Sequence, residues 1–95
     1  MSNLESSLRV ELFYKEYCPF CKMVVKYINH QELNVELRET SLVSEYNEEL
    51  VKEGGKKQVP CLKIIQAGNK TKWLYESMDI ITYLKKHAAK LKVVE

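Results

Sequence analysis

The chain is poor in residues that staple, break or anchor a fold. Its 95 residues include three cysteines, two prolines, three glycines and one tryptophan. Three cysteines, two of them inside one short motif, do not make the disulfide framework of a small secreted domain. Glycine and proline are too sparse for a linker or a low-complexity segment, and no internal repeat is present. No apolar run approaches the ~20 residues of a membrane span, so no membrane partner is expected. The net charge is only +2, and no basic stripe studded with aromatics accompanies it, so no nucleic-acid partner is expected either. Met1 to Ser7 is polar and carries Glu5, and therefore lacks the apolar core of a secretory signal. Together these absences predict a reducing, cytoplasmic setting. What remains is 45% hydrophobic and 29% charged, a balance that gives no reason to expect disorder. Residues 1–95 suffice for a single domain with a modest core, expected to act as a monomer.

Hydrophobic periodicity changes in a regular order along the chain. Leu8, Val10 and Leu12 alternate with Arg9 and Glu11, which predicts a half-buried strand reaching Tyr14. Pro19 suits the first turn of a helix, and Phe20, Val24, Tyr27, Ile28 and Gln31 follow at helical spacing. Alternation returns at Val35, Leu37 and Glu39, predicting a second strand from Asn34 to Thr40. Ser44 to Lys52 is acidic at its start and basic at its end, as a helix dipole favours, and Gly54-Gly55 ends it. Val59 to Ile65 is an apolar run interrupted only by Pro60 and Lys63. Ala67-Gly68-Asn69 turns the chain into a short fourth strand around Lys72 to Tyr75, its hairpin partner. Ser77 is placed to cap a final helix with the apolar stripe Ile80, Ile81, Leu84, Ala88 and Leu91.

Between the first strand and the first helix stands Cys18-Pro19-Phe20-Cys21. Two thiols at this spacing can close a small disulfide ring. The first sulfur also meets the free N–H groups and positive dipole end of the helix, which favour the thiolate. Cys18 is therefore the expected nucleophile. Cys21, one turn inside, is either the resolving thiol or a buried structural one. The order β-α-β-α-β-β-α with this motif after the first strand is that of the thioredoxin fold, an α/β domain whose four-stranded mixed sheet is flanked by helices. Pro60 bears on this independently, because a proline in a core strand removes a ladder donor. It stands either trans at the start of an edge strand or in a cis X–Pro bond that exposes the preceding backbone to a ligand. Beside the upstream cysteine pair, the cis form is expected.

Here a family resemblance enters. Cys18-Pro19-Phe20-Cys21 resembles the active site of dithiol glutaredoxins, which usually carry tyrosine where this chain has Phe20. Lys15 matches the lysine that single-domain glutaredoxins use toward a glutathione carboxylate, and Gln58-Val59-Pro60 resembles their Thr-Val-Pro. From Lys57 through Leu84 the pattern is more similar to the N-terminal domain of glutathione-transferase-like two-domain glutaredoxins, with Glu76-Ser77-Met78-Asp79-Ile80 following the Val-Pro pair. The resemblance runs from Leu8 to Leu91. It implies a glutathione-binding set of Lys15, Phe20, Gln58, Val59, Pro60, Glu76 and Ser77. In that set Pro60 is cis, the Val59 backbone pairs with the cysteinyl part, and Glu76-Ser77 holds the γ-glutamyl end. Two departures stand out. The glycine pair of single-domain glutaredoxins is missing near Asp79, and these 95 residues do not include the all-helical second domain of the transferase-like members.

Each residue also has a plainer reading. Lys15, Lys56 and Lys57 are expected to converge on one end of the cleft and grip the glutathione carboxylates, although loop lysines are ordinarily just solvated. Ser77 offers a hydroxyl and a helix-start N–H to a carboxylate, which is compatible with a plain cap. Glu76 would accept from the ligand ammonium, whereas alone it would be a surface charge. Phe20 either walls the sulfur site or packs in the core, and Tyr17 either touches substrate or is simply exposed. Lys22 is expected as a solvated helix lysine. Cys61 is expected as a small buried hydrophobe; the sharper alternative is a third redox thiol or a metal ligand. His30 and His87 have no partner at metal-ligand spacing and are expected at the surface.

The resulting expectation is a glutathione-dependent thiol–disulfide oxidoreductase acting on glutathionylated or disulfide-containing proteins. Glutathione is its co-substrate, and no metal is expected. The alternatives are an iron–sulfur or metal carrier built on the same thiols, against which Pro19 weighs, and a non-catalytic glutathione-binding domain. Thioredoxin-like reduction by a flavoenzyme is disfavoured by the missing Trp-Cys-Gly-Pro-Cys signature.

Overall fold

The computed structural model describes residues 8–66, 68 and 70–92. The polar start Met1 to Ser7, and Ala67 and Asn69 of the expected turn, lie outside the described residues. Eight regular elements follow the anticipated order, with the last helix divided. They are β1 (Arg9–Tyr14), α1 (Pro19–Gln31), β2 (Glu36–Glu39), α2 (Ser44–Glu49), β3 (Cys61–Gln66), β4 (Lys70–Leu74), α3 (Ser77–Lys86) and α4 (Ala88–Leu91). The strands form one mixed sheet in the order β2-β1-β3-β4. β1 pairs parallel with β2 and antiparallel with β3, which pairs antiparallel with β4. This is the thioredoxin-like fold. Among the described residues no helix is long and apolar enough to cross a membrane.

Alternation along the central strands sends side chains into two cores. Val10, Leu12, Leu62 and Ile64 meet Val24 and Ile28 of α1 and Ile80 and Leu84 of α3. Phe13 and Cys61, of opposite parity, meet Leu50 beyond α2, with Tyr46, Trp73 and Tyr75 packed around them. Strand β1 therefore differs from its expected half-buried form: Val10, Glu11, Leu12 and Phe13 are all buried. The reason is position, since β1 is central and covered on both faces. Glu11 is tolerated there because Arg9 and Arg38 reach its carboxylate at 3.2 and 3.3 Å; a buried charge without such partners would be costly.

Three boundaries also move. β2 starts at Glu36 because Leu33 and Asn34 turn to the other end of the chain: Leu33 bridges Lys92, and the Asn34 N–H donates to the Leu91 carbonyl at 2.6 Å. α2 continues past Glu49 as a wider π-helical turn, Leu50–Gly54, which Gly55 ends at φ +85°. A left-handed residue of this kind suits glycine, which has no Cβ to clash. The last helix breaks at His87, whose φ of −108° leaves the helical region. Beyond the break Leu91 still reaches the core.

Candidate active site

Cys18 is the N-cap of α1, with φ −87° and ψ 121°, and Pro19 takes the first helical position. Proline is suited to that place because its missing N–H would be unpaired there anyway. The Cys18 sulfur accepts the Cys21 N–H at 3.4 Å, as a capping side chain does. Cys18 is partly exposed, Cys21 is fully buried, and both are unbridged. The loop before them adds two contacts. The Cys18 N–H donates to the Lys15 carbonyl at 3.1 Å, and the Lys15 N–H donates to the Cys21 sulfur at 3.5 Å. Burial pushes the Cys21 thiol up to about 12; the Lys15 N–H opposes this, while Cys18 and Glu39 add to it. The two sulfurs are thus unlike: one open at a helix start, the other sealed and held as a thiol.

Beside this pair lies a cleft of about 210 Å³ lined by Phe20, Gln58, Val59, Pro60, Tyr75, Glu76 and Ser77. Three segments far apart in sequence build it: the first turn of α1, the approach to β3, and the passage from β4 to α3. The Val59–Pro60 peptide is cis. Phe20 is 63% exposed, so it walls the cleft and does not join the helix's buried stripe. The Gln58 side-chain amide donates to the Tyr75 carbonyl at 3.4 Å, linking two walls. Glu76, rather than Ser77, is the N-cap of α3, and neither side chain caps the helix. Ser77 is the first helical residue, one place inside, because Glu76 already has the extended backbone (φ −92°, ψ 132°) of a cap. That leaves the Ser77 hydroxyl uncommitted to the cap and on the cleft wall.

Six of the seven residues expected around the ligand therefore line one cleft. Lys15 does not; its main chain serves the cysteines instead. Lys56 stands 5.0 Å over the Tyr75 ring, at the cleft's edge, whereas Lys57 is exposed and outside the lining. The expected convergence of three lysines is not seen, because Lys15 belongs to the loop on the Cys21 side of α1. Tyr17 and Lys22 are exposed, as is His30. His87 is half-buried at the break, its ring 4.2 Å from that of Tyr83, and burial lowers its pKa. Cys61 is fully buried opposite Phe13 in the second core, and burial pushes its thiol up to about 12 against the Tyr75 hydroxyl, which lowers it. Among the described residues no three His, Cys, Asp or Glu side chains gather as metal ligands would.

Two residues escaped the sequence reading. Tyr75 lines the cleft, and its hydroxyl donates to the Gly54 carbonyl. Glu39 lies buried behind the Cys18 loop and accepts the Glu16 N–H at 2.7 Å. An aromatic beside Glu76-Ser77 is a weak signal for the first; for the second, an acid in an edge strand carries none. A larger cavity of about 670 Å³ opens along α1 and α3 between Met23, Tyr27 and Ile81, and shares no lining residue with the cleft at Val59–Pro60 and Glu76-Ser77.

Comparison with known proteins follows the same lines. A family model described as Glutaredoxin matches residues 10–66, more than half of the chain. Wheat glutaredoxin superposes with a TM-score of 0.56 at 25% identity, covering 88% of this chain and 76% of that one. A buckwheat glutaredoxin–glutathione complex gives 0.59 at 20% identity, over 94% and 81% of the two chains. A maleylacetoacetate isomerase from Anaeromyxobacter dehalogenans, with GSH bound in its active site, gives 0.66 at 19% identity. That match covers 94% of this chain but 42% of the isomerase. No curated protein sequence matches the chain.

Proposed function

This chain belongs to the glutaredoxin family, and from that premise we propose that it is a glutathione-dependent thiol–disulfide oxidoreductase with Cys18 as its nucleophile. The observation that carries the proposal is the asymmetry of the thiols. Cys18 is reachable at the helix N-cap, while Cys21 is buried one turn inside. The thiolate is the attacking form of such a thiol, and an open position lets it meet a disulfide. The Cys18 thiolate attacks the sulfur of a glutathionylated or disulfide-containing protein, a Cys18–sulfur bond forms, and the substrate thiol leaves. When the product is a Cys18–glutathione mixed disulfide, a second glutathione or Cys21 resolves it. Phe20, Gln58, Val59, Pro60, Glu76 and Ser77 hold the tripeptide, supported by their meeting in one cleft beside the cysteines. Lys15, expected in the same set, is not among the residues that line that cleft.

The Glu76-Ser77 pair at the head of α3 supports a closer kinship with the glutathione-transferase-like branch, as does the GSH-bound isomerase among the similar folds. Residues 1–95 form the working domain in this reading, in a reducing compartment. A glutathione-coupled assay on a small mixed disulfide tests the proposal. Cys18→Ser abolishes turnover, whereas Cys21→Ser keeps a substantial part. Full activity in Cys18→Ser, or no glutathione-dependent turnover by the parent, refutes it.

A further inference from the structure

Helix α1 carries no acidic residue from Pro19 to Gln31, while Lys22, Lys26 and His30 recur at every fourth place. Residues four apart on a helix stand one above the other, so these three form one ridge along its outer side. All three are exposed, and among the described residues neither lysine enters an ion pair. Beside the ridge, on the flank that faces α3, Phe20, Met23 and Tyr27 follow at spacings of three and four. Across from them Met78 and Ile81 stand one turn apart on α3, and Met78 is 61% exposed. The cavity of about 670 Å³ between the two helices has Met23, Tyr27 and Ile81 as its apolar walls, and Lys26, Asn29 and His30 edge it. Acids stand around this groove but do not line it. Asp79, two places before Ile81, lies on the opposite flank of α3. Glu16 shares a separate hollow with Tyr14 and Val25 on the far side of the ridge, which both lysines also line. Glu76 faces the glutathione cleft, and Glu32 caps the far end of α1. The groove begins where the cleft ends, since Phe20 walls the cleft and Met23 is the next residue on its flank. Cys18 heads the same helix. At a rise of ~1.5 Å per residue, Tyr27 lies about 13 Å along the axis from Cys18, a span that about four residues of extended chain cover.

We propose that the α1–α3 groove docks the protein substrate, and that the segment it takes is apolar with acidic neighbours, within about four to six residues of the disulfide cysteine. This rests on the glutathione-dependent reading above. Exposed apolar surface rimmed by charge is the usual form of a protein-binding site, and the sign of the rim selects the partner. Apolar side chains of the segment pack on Met23, Tyr27 and Ile81, and its carboxylates meet Lys22 and Lys26. The glutathione half of a mixed disulfide then lies in the cleft and the protein half over the groove, with the sulfurs at Cys18 between them. The Cys18 thiolate attacks the glutathione sulfur and a Cys18–sulfur bond forms. The substrate's sulfur–sulfur bond breaks, and its cysteine leaves as a thiolate with the electron pair.

The test compares glutathionylated peptides whose cysteine is flanked by leucines and glutamates with two control series, one with lysine for glutamate and one with serine for leucine. Turnover by the full chain at saturating glutathione is read as kcat/KM for the peptide, beside turnover of a small glutathione mixed disulfide. The acidic, apolar peptide is expected to exceed its lysine counterpart about five- to twentyfold at low salt. It should exceed its serine counterpart about three- to tenfold. The first ratio should fall toward one at about 1 M salt, where charges more than ~3 Å apart are screened, and the second should persist. Lys26→Glu removes the first preference and Met23→Ser the second, and both variants keep the parent's turnover of the small mixed disulfide. Equal turnover of all peptides by the parent, or a preference left intact in its variant, overturns the proposal. Should a variant not fold, amide shifts of the parent with an unreactive peptide, serine replacing its cysteine, decide the matter. Shifts along Met23–His30 and at Ile81 support the groove; shifts only elsewhere, or none, overturn it. Sedimentation that finds the parent dimeric and Met23→Ser monomeric gives the face to a second copy of the chain and overturns the proposal as well. A parent inactive on the small mixed disulfide refutes the glutathione-dependent reading itself. An active parent with no preference among the peptides refutes only the docking groove.

Discussion

Replacing Gly54 by alanine tests how firmly one wall of the cleft is held. A methyl group at position 54 would meet the Tyr75 hydroxyl oxygen at 2.7 Å and two carbons of the Trp73 ring at 3.0 and 3.2 Å. Comfortable carbon contacts lie at ~3.5–4.0 Å, so at least one ring must move by several tenths of an ångström. Neither ring is free to do so. The Tyr75 hydroxyl donates to the carbonyl of Gly54 itself. Trp73 packs on Phe13 with ring centroids 5.5 Å apart and lies under the Lys63 ammonium at 5.3 Å. Against the clash stands the better helix propensity of alanine, up to ~1 kcal/mol in a helix interior and less at the end of a turn. Overpacking a closed site costs ~1–3 kcal/mol, so the clash wins by about 1–2 kcal/mol. For a domain of this size each lost kcal/mol lowers Tm by about 4–8 °C. Thermal unfolding followed by circular dichroism measures the loss. Because Tyr75 lines the cleft, the glutathione KM should also rise about two- to fivefold as its ring shifts. A Tm equal to or above the parent's would refute the reasoning, showing that the rings yield at no cost.

Other perturbations separate ligand grip from fold. If the proposed glutathione site is right, Ser77→Ala and Glu76→Ala should each lose a charge-assisted hydrogen bond worth roughly 1.5–3 kcal/mol and raise the glutathione KM by about one to two decades. Unchanged glutathione affinity in both variants would remove that pair from the site. Burial alone would raise the Glu39 pKa, but the Ser41 hydroxyl and the Glu16, Ser41 and Leu42 N–H groups bring it below its ordinary value of 4.5, so its contribution to stability is whole above that value. The contribution is lost as pH falls through the lower, folded pKa. Urea midpoints taken from neutral pH downward should fall more steeply in the parent than in Glu39→Gln, and parallel acid limbs would contradict this.

The thiol motif was readable because its chemistry is local. Proline at the first helical position, a cysteine at the cap and another one turn on specify a helix start that carries a sulfur, whatever surrounds it. The strands at Val10–Leu12 and Leu62–Ile64, and the stripe Ile80–Leu84–Leu91, were readable for a related reason: periodicity of two or of 3.6 records which side meets a core. That same periodicity misjudged β1, where Glu11 and Phe13 are buried as well as Val10 and Leu12. Alternation between charged and apolar residues does not reveal that Arg38, 27 positions away, will neutralise Glu11. For Phe20 helical spacing left a core place and a cleft wall both open, and the side chain stands open on the cleft.

Local spacing was enough for the order of elements and for the placement of Cys18 and Cys21 at a helix start, since each depends on residues within about one turn or one strand; the segments that supply the cleft were named by the family resemblance. Tertiary structure alone decided which of those segments meet. The pairing of β1 with both β2 and β3 brings Glu39 behind the Cys18 loop and the Val59–Pro60 peptide beside Phe20. The pairing of β3 with β4 carries Tyr75 to Gly54 and Glu76-Ser77 to the cleft, while Lys15 stays outside it. The physical reason is that burial, charge compensation and close approach are properties of pairs brought together by the sheet. A residue's own type and its near neighbours set what it can do; the strand register sets what it faces.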